Sequence, residues 1–364
     1  MALSCGIVGL PNVGKSTIFN ALTRSAQALA ANYPFATIEP NVGEVAVPDD
    51  RLAVLQKLVK GERIVPATVR FVDIAGLVRG ASTGAGLGNA FLSHIRETDA
   101  IAMVVRCFED ANVTHVEGVP EPKRDIEIVA IELALADLAT MQKRTDKMER
   151  EARSNPKLRA HLDAARNIVA ALEAGTPARS FPRGTLEAEV AAESFLLTAK
   201  PLLYVANVDE TQIGAPGPLA ETVREIAGSE RSAMVLLSGK IESELAGLGD
   251  EEAREFCTEL GIQRSGLDEL ALTAYDLLGL TTFLTAGEKE VRAWTIDRGT
   301  KAPQAAGKIH SDIERGFIRA EVVSYDDYVA LKTMDALRNA GKLRSEGKEY
   351  VMHEGDVVNF RFNV

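Results

Sequence analysis

The chain has 364 residues, which at about 150 residues per domain suggests two or three domains. Hydrophobic residues make up 46% of it and charged residues 26%, a composition typical of a globular protein. No apolar run approaches the about 18 residues of a membrane-spanning helix, and no basic segment precedes an apolar one at the amino terminus. The sequence therefore argues against membrane spans and a secretory signal. The formal net charge of −11 predicts that the molecule as a whole is repelled by bare nucleic acid.

The cysteines indicate a reducing compartment. Cys5, Cys107 and Cys257 are far apart in sequence and show neither the spacing of a disulfide framework nor that of a zinc site. We therefore expect a cytoplasmic protein. With no sequence signal for assembly, the default expectation is a monomer.

The first part of the chain alternates short apolar runs with helical patterns. The runs lie at 5–10, 67–75, 100–105, 201–207 and 233–238. Nearly continuous apolar strands separated by helices are typical of a parallel sheet that helices cover on both faces. This pattern predicts an α/β domain.

The interval between 107 and 201 is too long for one crossover helix. Apolar residues recur in it in steps of three and four, at Ile128, Ile131, Leu135 and Leu138, and then at Leu158, Leu162, Ala165, Val169 and Leu172. The sequence SNP at 154–156 separates the two series. The pattern predicts an antiparallel helical hairpin of coiled-coil character. Two ordinary amphipathic surface helices are the alternative, because the seam is short.

After about residue 280 the pattern changes to short strand-like runs with glycine turns. These runs lie at 293–299, 316–325, 349–355 and 356–364. They predict a small β-rich domain at the carboxyl end of the chain.

The sequence GLPNVGKS at 9–16 matches the phosphate-binding loop G-x-x-x-x-G-K-[ST], and it stands between a predicted strand and a predicted helix. Backbone N–H groups of such a loop surround phosphate oxygens, Lys15 reaches the β- and γ-phosphates, and Ser16 supplies a hydroxyl to Mg²⁺. The predicted nucleotide-binding residues of this segment are Asn12, Val13, Gly14, Lys15, Ser16 and Thr17.

A second phosphate motif is DIAG at 73–76, which follows a predicted strand. Asp73 is predicted to lie in the magnesium coordination sphere and Gly76 near the γ-phosphate. Thr37 is a candidate for the loop threonine that closes over Mg²⁺, so Ser16, Thr37 and Asp73 form the predicted metal set.

The residue after Gly76 is Leu77, where Ras-like enzymes carry a glutamine that orients the attacking water. Leucine cannot bind water, so hydrolysis is slow or another group acts. His115 is the candidate for that group, although a lone histidine is as often an ordinary loop residue. Asn12 could hold a monovalent cation such as K⁺ beside the phosphates, so Lys15, Asn12 and His115 are the catalytic candidates.

The base is predicted to meet NVDE at 207–210 and SGK at 238–240. Guanine-specific relatives use N-K-x-D, in which the aspartate accepts both guanine donors. Here Val208 replaces the lysine and Glu210 places its carboxylate one methylene further out. The physics of these residues leaves both ATP and GTP open. The predicted base-binding residues are Asn207, Val208, Glu210, Ser238 and Gly239.

Taken together, the segments GLPNVGKS, NYPFATIEPN, DIAGLVRGAS, GAGLGN, RCFED and NVDE resemble the YchF/Obg-like ATPase family. The tail WTIDRGTKAPQAAGKIHSDIERGFIRAEV resembles the TGS domain of that family, and the resemblance covers essentially the whole chain. It implies an α/β P-loop NTPase (Ras-like G domain) of 1–120 and 196–279, a coiled-coil insertion of 121–195, and a TGS (β-grasp) domain of 280–364.

The resemblance also implies a preference for ATP over GTP, association with ribosomes, and a role in translation or stress control. His115 falls where the family carries a histidine proposed to replace the missing glutamine. Ala36 stands where family members often have a cysteine, so thiol-based regulation is not carried over.

The charge distribution allows an RNA partner despite the net negative charge. Residues 143–166 contain eight basic and four acidic side chains, a local charge of +4 around the predicted hairpin turn. We expect this basic hairpin and the TGS domain to be the parts that meet RNA. The leading hypothesis is an ATP-hydrolysing switch, and the rival is a ribosome- or RNA-binding adaptor in which nucleotide is structural. A small-molecule kinase is disfavoured, because no motif for a second substrate is evident.

Overall fold

The fold is that of a computed structural model, which describes residues 3–32, 41–74 and 87–363. Thr37, Gly76 and Leu77 lie outside the described residues, as do Ala36 and most of the glycine-rich segment 80–89. No helix in the described ranges is long and apolar enough to cross a membrane.

The described residues form twelve strands and fourteen α-helices. The strands are β1 (Ser4–Val8), β2 (Val42–Ala46), β3 (Ile64–Val65), β4 (Thr68–Asp73), β5 (Ala100–Arg106), β6 (Leu202–Asn207), β7 (Ala233–Leu237), β8 (Leu280–Ala286), β9 (Val291–Asp297), β10 (Phe317–Ser324), β11 (Arg344–Glu346) and β12 (Asp356–Phe362). The helices are α1 (Lys15–Asn32), α2 (Asp50–Val59), α3 (Leu87–Glu97), α4 (Pro122–Ser154), α5 (Arg159–Glu173), α6 (Leu186–Glu193), α7 (Pro218–Glu230), α8 (Gly239–Leu245), α9 (Asp250–Glu259), α10 (Gly266–Leu277), α11 (Ala302–Ile309), α12 (Ser311–Arg315), α13 (Tyr325–Leu331) and α14 (Met334–Asn339).

The chain divides into two compact units. The first contains residues 3–27, 41–43, 70–74 and 87–274 among those described. Its sheet has the order β2-β4-β1-β5-β6-β7. Neighbouring strands are parallel from β4 through β1, β5 and β6 to β7. Every residue of β1, β5 and β6 is buried, as expected for central strands covered on both faces. The predicted α/β fold is confirmed.

A helical hairpin is inserted after β5. Helix α4 runs for 33 residues and ends at Ser154, where the Asn155 side chain accepts a hydrogen bond from the Lys157 N–H and Pro156 begins a short 3-10 turn. Helix α5 then packs against α4. The predicted core positions of α5 are confirmed at Leu162, Ala165 and Leu172, which are all buried.

The predicted seam of α4 is wrong at two positions. Ile131 is 56% exposed and Leu135 is 42% exposed. Ile126, Val129 and Leu133 are buried instead, because the first half of α4 packs against β5 and α7 rather than against α5. The second half faces α5, and Met141, Met148 and Ala152 share a core with that helix. One helix therefore buries different faces along its length, which a single heptad frame cannot describe.

The second unit contains residues 28–32, 44–69 and 275–363 among those described. Its mixed sheet has the order β11-β10-β12-β8-β9-β3, with parallel pairing of β12 to β8 and of β3 to β9. Helix α11 packs on this sheet, where its Ala302, Ala305 and Ala306 join a core that includes Phe283 and Phe360. The predicted β-rich carboxyl-terminal region is confirmed.

These units cut across the predicted domain boundaries. Strand β3 extends the second sheet by pairing with β9, and Arg63 forms an ion pair with Glu290 at 2.6 Å. Arg51 likewise pairs with Glu354 at 2.5 Å. Residues 44–69 are therefore grouped with the carboxyl-terminal strands, although their two ends are parts of β2 and β4 in the first sheet. The division into three domains stays a prediction.

Candidate nucleotide-binding site

The phosphate loop connects β1 to α1 and can be built only with glycine at position 14. Gly14 has a φ of 98°, a left-handed conformation that residues with a Cβ rarely adopt. A Cβ at this position would lie 2.1 Å from Asn207 Nδ2. Asn12 in the same loop has a φ of 61°, a region that asparagine tolerates better than most residues. The loop is thus tightly curled, as phosphate binding requires.

Lys15 is 6% exposed, and its Nζ donates a hydrogen bond to the carbonyl of Leu10 at 2.6 Å. Burial lowers the pKa of Lys15 to about 8, and the negative charge of Asp73 opposes this change. Burial also raises the pKa of Asp73, although the positive charge of Lys15 partly compensates. The ammonium therefore lies inside the phosphate loop, where it is subject to the charge of Asp73.

The residues predicted to hold Mg²⁺ that the structure describes are Ser16 and Asp73. Ser16 is exposed on the first turn of α1, and Asp73 ends β4, which pairs with β1. Hydroxyl and carboxylate oxygens are suitable magnesium ligands. No group of three or more His, Cys, Asp or Glu residues capable of holding a metal occurs among the described residues. This donor set fits an ion that takes its remaining ligands from substrate phosphates and water.

The side chain of Asn207 connects the phosphate loop to the start of α8, the helix that follows β7. Its Nδ2 donates to the carbonyl of Val13 at 2.9 Å, and its Oδ1 accepts from the N–H of Gly239 at 2.9 Å. Asn207 is 3% exposed, so both bonds are shielded from water. The first residue of NVDE thus fixes two predicted nucleotide-binding segments relative to each other. Thr17 is exposed on α1, and its Cγ2 would lie 3.6 Å from a Cβ at Gly239.

The other predicted base residues differ in accessibility. Val208 and Ser238 are buried, so the Val208 side chain is not free to stack on a base. Glu210 is accessible, but its Oε1 lies 2.5 Å from Lys240 Nζ. The hydrogen bond to Glu210 raises the pKa of Lys240. The carboxylate that would recognise a base is therefore paired with a lysine on the first turn of α8.

His115 is buried rather than open to solvent. Its Nε2 lies 3.0 Å from Asp125 Oδ2 but forms no hydrogen bond with the described residues. Its Nδ1 accepts from the N–H of Glu117 at 3.2 Å. The neighbouring Thr114 carbonyl accepts from Asn12 Nδ2 at 3.0 Å, so the loop that carries His115 contacts the phosphate loop. In this conformation the imidazole itself does not reach solvent, and its catalytic role stays a prediction.

Comparison with known proteins identifies the family. The "Ribosome-binding ATPase YchF" of Bacillus subtilis (strain 168) is 52% identical over 367 residues, covering 100% of both chains. The chain belongs to the YchF family. The YchF protein of Escherichia coli O157:H7, which carries the same name, is 49% identical over 100% of both chains. The structure of the Schizosaccharomyces pombe YchF GTPase has a TM-score of 0.89 and 41% identity, covering 99% of this chain and 97% of that one.

Two family models match parts of the chain. The model described as "50S ribosome-binding GTPase" matches residues 4–136, and the YchF carboxyl-terminal model, described as "Protein of unknown function (DUF933)", matches residues 280–363. The YchF relatives differ in the nucleotide that their names state, since the bacterial proteins are named ATPases and the yeast protein a GTPase.

Sequence reasoning missed two residues of this YchF-family site. Lys240 on α8 pairs with Glu210 in the short 3-10 turn after β6, and the SGK motif alone does not reveal that contact. Arg106 lies inside the RCFED segment and organises the loop that reaches Asn12. A charged residue at the end of a fully buried strand is the signal that could have identified Arg106.

Proposed function

We propose that this chain is an ATP-hydrolysing molecular switch that associates with the ribosome in the cytoplasm and acts in translation or stress control. The observation that carries the proposal is the curled phosphate loop, in which Lys15 is buried and Val13 is held by Asn207. The relatives named ribosome-binding ATPases support the same activity and partner.

Nucleotide binding starts with an exchange of partners at Lys15. The ammonium leaves the Leu10 carbonyl and binds the β- and γ-phosphates, while the backbone N–H groups of the loop bind phosphate oxygens. Ser16 and Asp73, together with Thr37, would hold Mg²⁺ beside the phosphates. Mg²⁺ held there would supply positive charge against the negative charge that develops on the transferred phosphoryl group.

Hydrolysis in this proposal depends on residues other than the missing glutamine. His115 orients the attacking water after its ring leaves Asp125. The Nδ2 of Asn12 donates a hydrogen bond to the Thr114 carbonyl. Its Oδ1 has no protein partner in the described part of the chain and is therefore free for a cation such as K⁺. That oxygen would place a positive charge where other enzymes use an arginine, a contribution of about 10³–10⁵ in rate. Equal rates in potassium, sodium and a bulky organic cation would refute the role of Asn12.

The preference for ATP is proposed to follow from the pairing of Glu210 with Lys240. A carboxylate engaged by an ammonium is a poorer acceptor for the two guanine donors, so the main basis for selecting GTP is weakened. Titration of ATP and GTP into the protein tests this directly. Lys240→Met should raise the affinity for GTP relative to ATP, whereas Lys240→Arg should preserve the wild-type ratio. An unchanged ratio in both variants would mean that backbone groups select the base.

The basic hairpin is the proposed RNA contact. Four cations around its turn are exposed and have no ion-pair partner among the described residues: Arg150, Arg153, Lys157 and Arg159. By contrast, Arg166 pairs with Glu149 at 2.7 Å. Unpaired cations near a turn are available for phosphate groups of ribosomal RNA, and the carboxyl-terminal domain is proposed as a second contact.

Ribosome binding tests the hairpin and the switch together. Neutralising the four unpaired cations should weaken ribosome binding and reduce the slope of log affinity against log salt by about 3. Arg166→Gln is the matched control, because its charge is already paired. A switch further requires that ribosomes change the ATPase rate and that ATP changes ribosome affinity, since coupling of binding is reciprocal. A protein that shows neither effect is an adaptor.

A further inference from the structure

Arg106 is a buried arginine without an acidic partner. It ends β5, is 1% exposed, and no carboxylate of the described residues lies within ion-pair distance. Its guanidinium donates hydrogen bonds to the carbonyls of Phe108 at 3.1 Å, Val113 at 2.9 Å and Asp110 at 3.3 Å. It also lies 4.5 Å from the centre of the Phe108 ring. A buried charge held only by backbone carbonyls fixes the path of the segment that supplies them.

That segment reaches the phosphate loop one residue later. The Thr114 carbonyl, directly after Val113, accepts the hydrogen bond from Asn12 Nδ2. This bond determines which end of the Asn12 amide faces the loop, and it leaves Oδ1 without a protein partner in the described part of the chain. It also supports the left-handed backbone of Asn12, where φ is 61°.

The start of this segment is fixed as well. Arg106 lies opposite Asn207 in the β5–β6 register, and the Cys107 N–H donates to the Asn207 carbonyl at 2.8 Å. Two consecutive residues of the phosphate loop are thus held from neighbouring strands. Val13 is held by the Asn207 side chain, and Asn12 is held by the segment that Arg106 organises.

We propose that Arg106 is a positioning residue for nucleotide hydrolysis, which orients the Asn12 side chain through the carbonyls of residues 108–114. This inference rests on the proposed hydrolytic function. Arginine is required because its planar group presents several donors in fixed directions, and the shorter fan of donors on lysine cannot reach three separated carbonyls. The fixed directions of the guanidinium donors, rather than its positive charge, hold the segment in place.

The first experiment compares wild type with Arg106→Lys and Arg106→Met in steady-state ATP hydrolysis and in nucleotide titration. A displacement of about 1 Å at a reacting centre can cost about 100-fold in rate, so we expect kcat to fall by about 10- to 100-fold in both variants. KM and the nucleotide Kd should stay within about threefold, because Lys15 and the backbone N–H groups remain.

Asp137→Asn is the matched control for lost stability. Asp137 is also fully buried and accepts from the N–H groups of Leu197 and Thr198, in the helical insertion. This variant should melt at a lower temperature with an unchanged kcat. If the Arg106 variants lose no more kcat than Asp137→Asn when measured below their melting temperatures, the proposal is overturned.

The second experiment tests the route through Asn12. Asn12 is exposed, so Asn12→Asp keeps the fold, retains a side-chain oxygen and removes the donor to the Thr114 carbonyl. We expect it to reproduce the kcat loss of Arg106→Lys, and the double variant to lose no more than the larger single loss. Normal turnover in Asn12→Asp, or losses that multiply in the double variant, would overturn the proposal. Absence of hydrolysis in wild type would instead refute the proposed function, and this inference with it.

Discussion

The Asn207 side chain connects the phosphate loop with the start of α8, and its removal should loosen both. Asn207→Ala leaves the Val13 carbonyl and the Gly239 N–H without a partner. A buried polar group left unsatisfied costs about 1–3 kcal/mol, so two such groups cost about 2–6 kcal/mol in the free energy of unfolding. We expect a value near the lower end, because the space left by the amide can admit a water molecule.

Loss of the two Asn207 hydrogen bonds should also weaken nucleotide binding. Without Asn207 the phosphate loop and the start of α8 must be brought together when the nucleotide binds, so the Kd should rise by at least about tenfold, equivalent to about 1.4 kcal/mol. Isothermal titration calorimetry and thermal melting measure the two effects. Asn207→Asp separates the contributions of the two hydrogen bonds, because its carboxylate still accepts from the Gly239 N–H but cannot donate to the Val13 carbonyl.

The control for this prediction is Asn167→Ala. Asn167 also uses its Nδ2, donating to Glu187 at 2.9 Å, but this bond is exposed and lies in the helical insertion. The control should melt and bind nucleotide as wild type does. If Asn207→Ala binds nucleotide within about twofold of wild type and melts at the same temperature, the two hydrogen bonds do not organise the site.

The remaining predictions concern other parts of the chain. Burial raises the pKa of Glu242 from 4.5 to about 7, so between these values the native state holds a proton that the unfolded chain releases. The free energy of unfolding should therefore fall by about 3 kcal/mol as pH rises through this window, and Glu242→Gln should remove that dependence in urea titrations. Lys15→Ala should abolish nucleotide binding in calorimetry while the protein still melts cooperatively, and normal turnover would contradict the assignment of the phosphate loop. Glu354→Ala should lower the stability of the second unit by about 1–3 kcal/mol, because it leaves the Thr282 N–H, bonded at 2.7 Å, without its acceptor. An unchanged melting curve would show that water replaces the carboxylate.

The sequence predicts those features that depend on local pattern. The phosphate loop is recognisable because its glycines, lysine and serine act within eight consecutive residues. The central strands are recognisable because burial on both faces requires an unbroken apolar run. In both cases the structural cause lies inside the segment that shows the pattern.

The features that escape prediction depend on distant partners. Ile131 and Leu135 are as apolar as their buried neighbours, and only the packing of α4 on β5 and α7 determines that they are exposed. His115 has the residue type of a catalytic base, but the proximity of Asp125 is a property of the folded chain. Strand β3 has only two residues, too few to show a periodicity of its own.

The pairing of β3 with β9 has a consequence for synthesis of the chain. The ion pair beside it joins Arg63 to Glu290, which are 227 residues apart in sequence. During translation, the segment 44–69 leaves the ribosome long before its partner strands exist. Contacts of such wide separation are formed late and slow the folding of a domain. The part of this segment around β3 therefore completes its fold only when the carboxyl-terminal strands emerge, and a prematurely terminated chain would present it unprotected to chaperones and proteases.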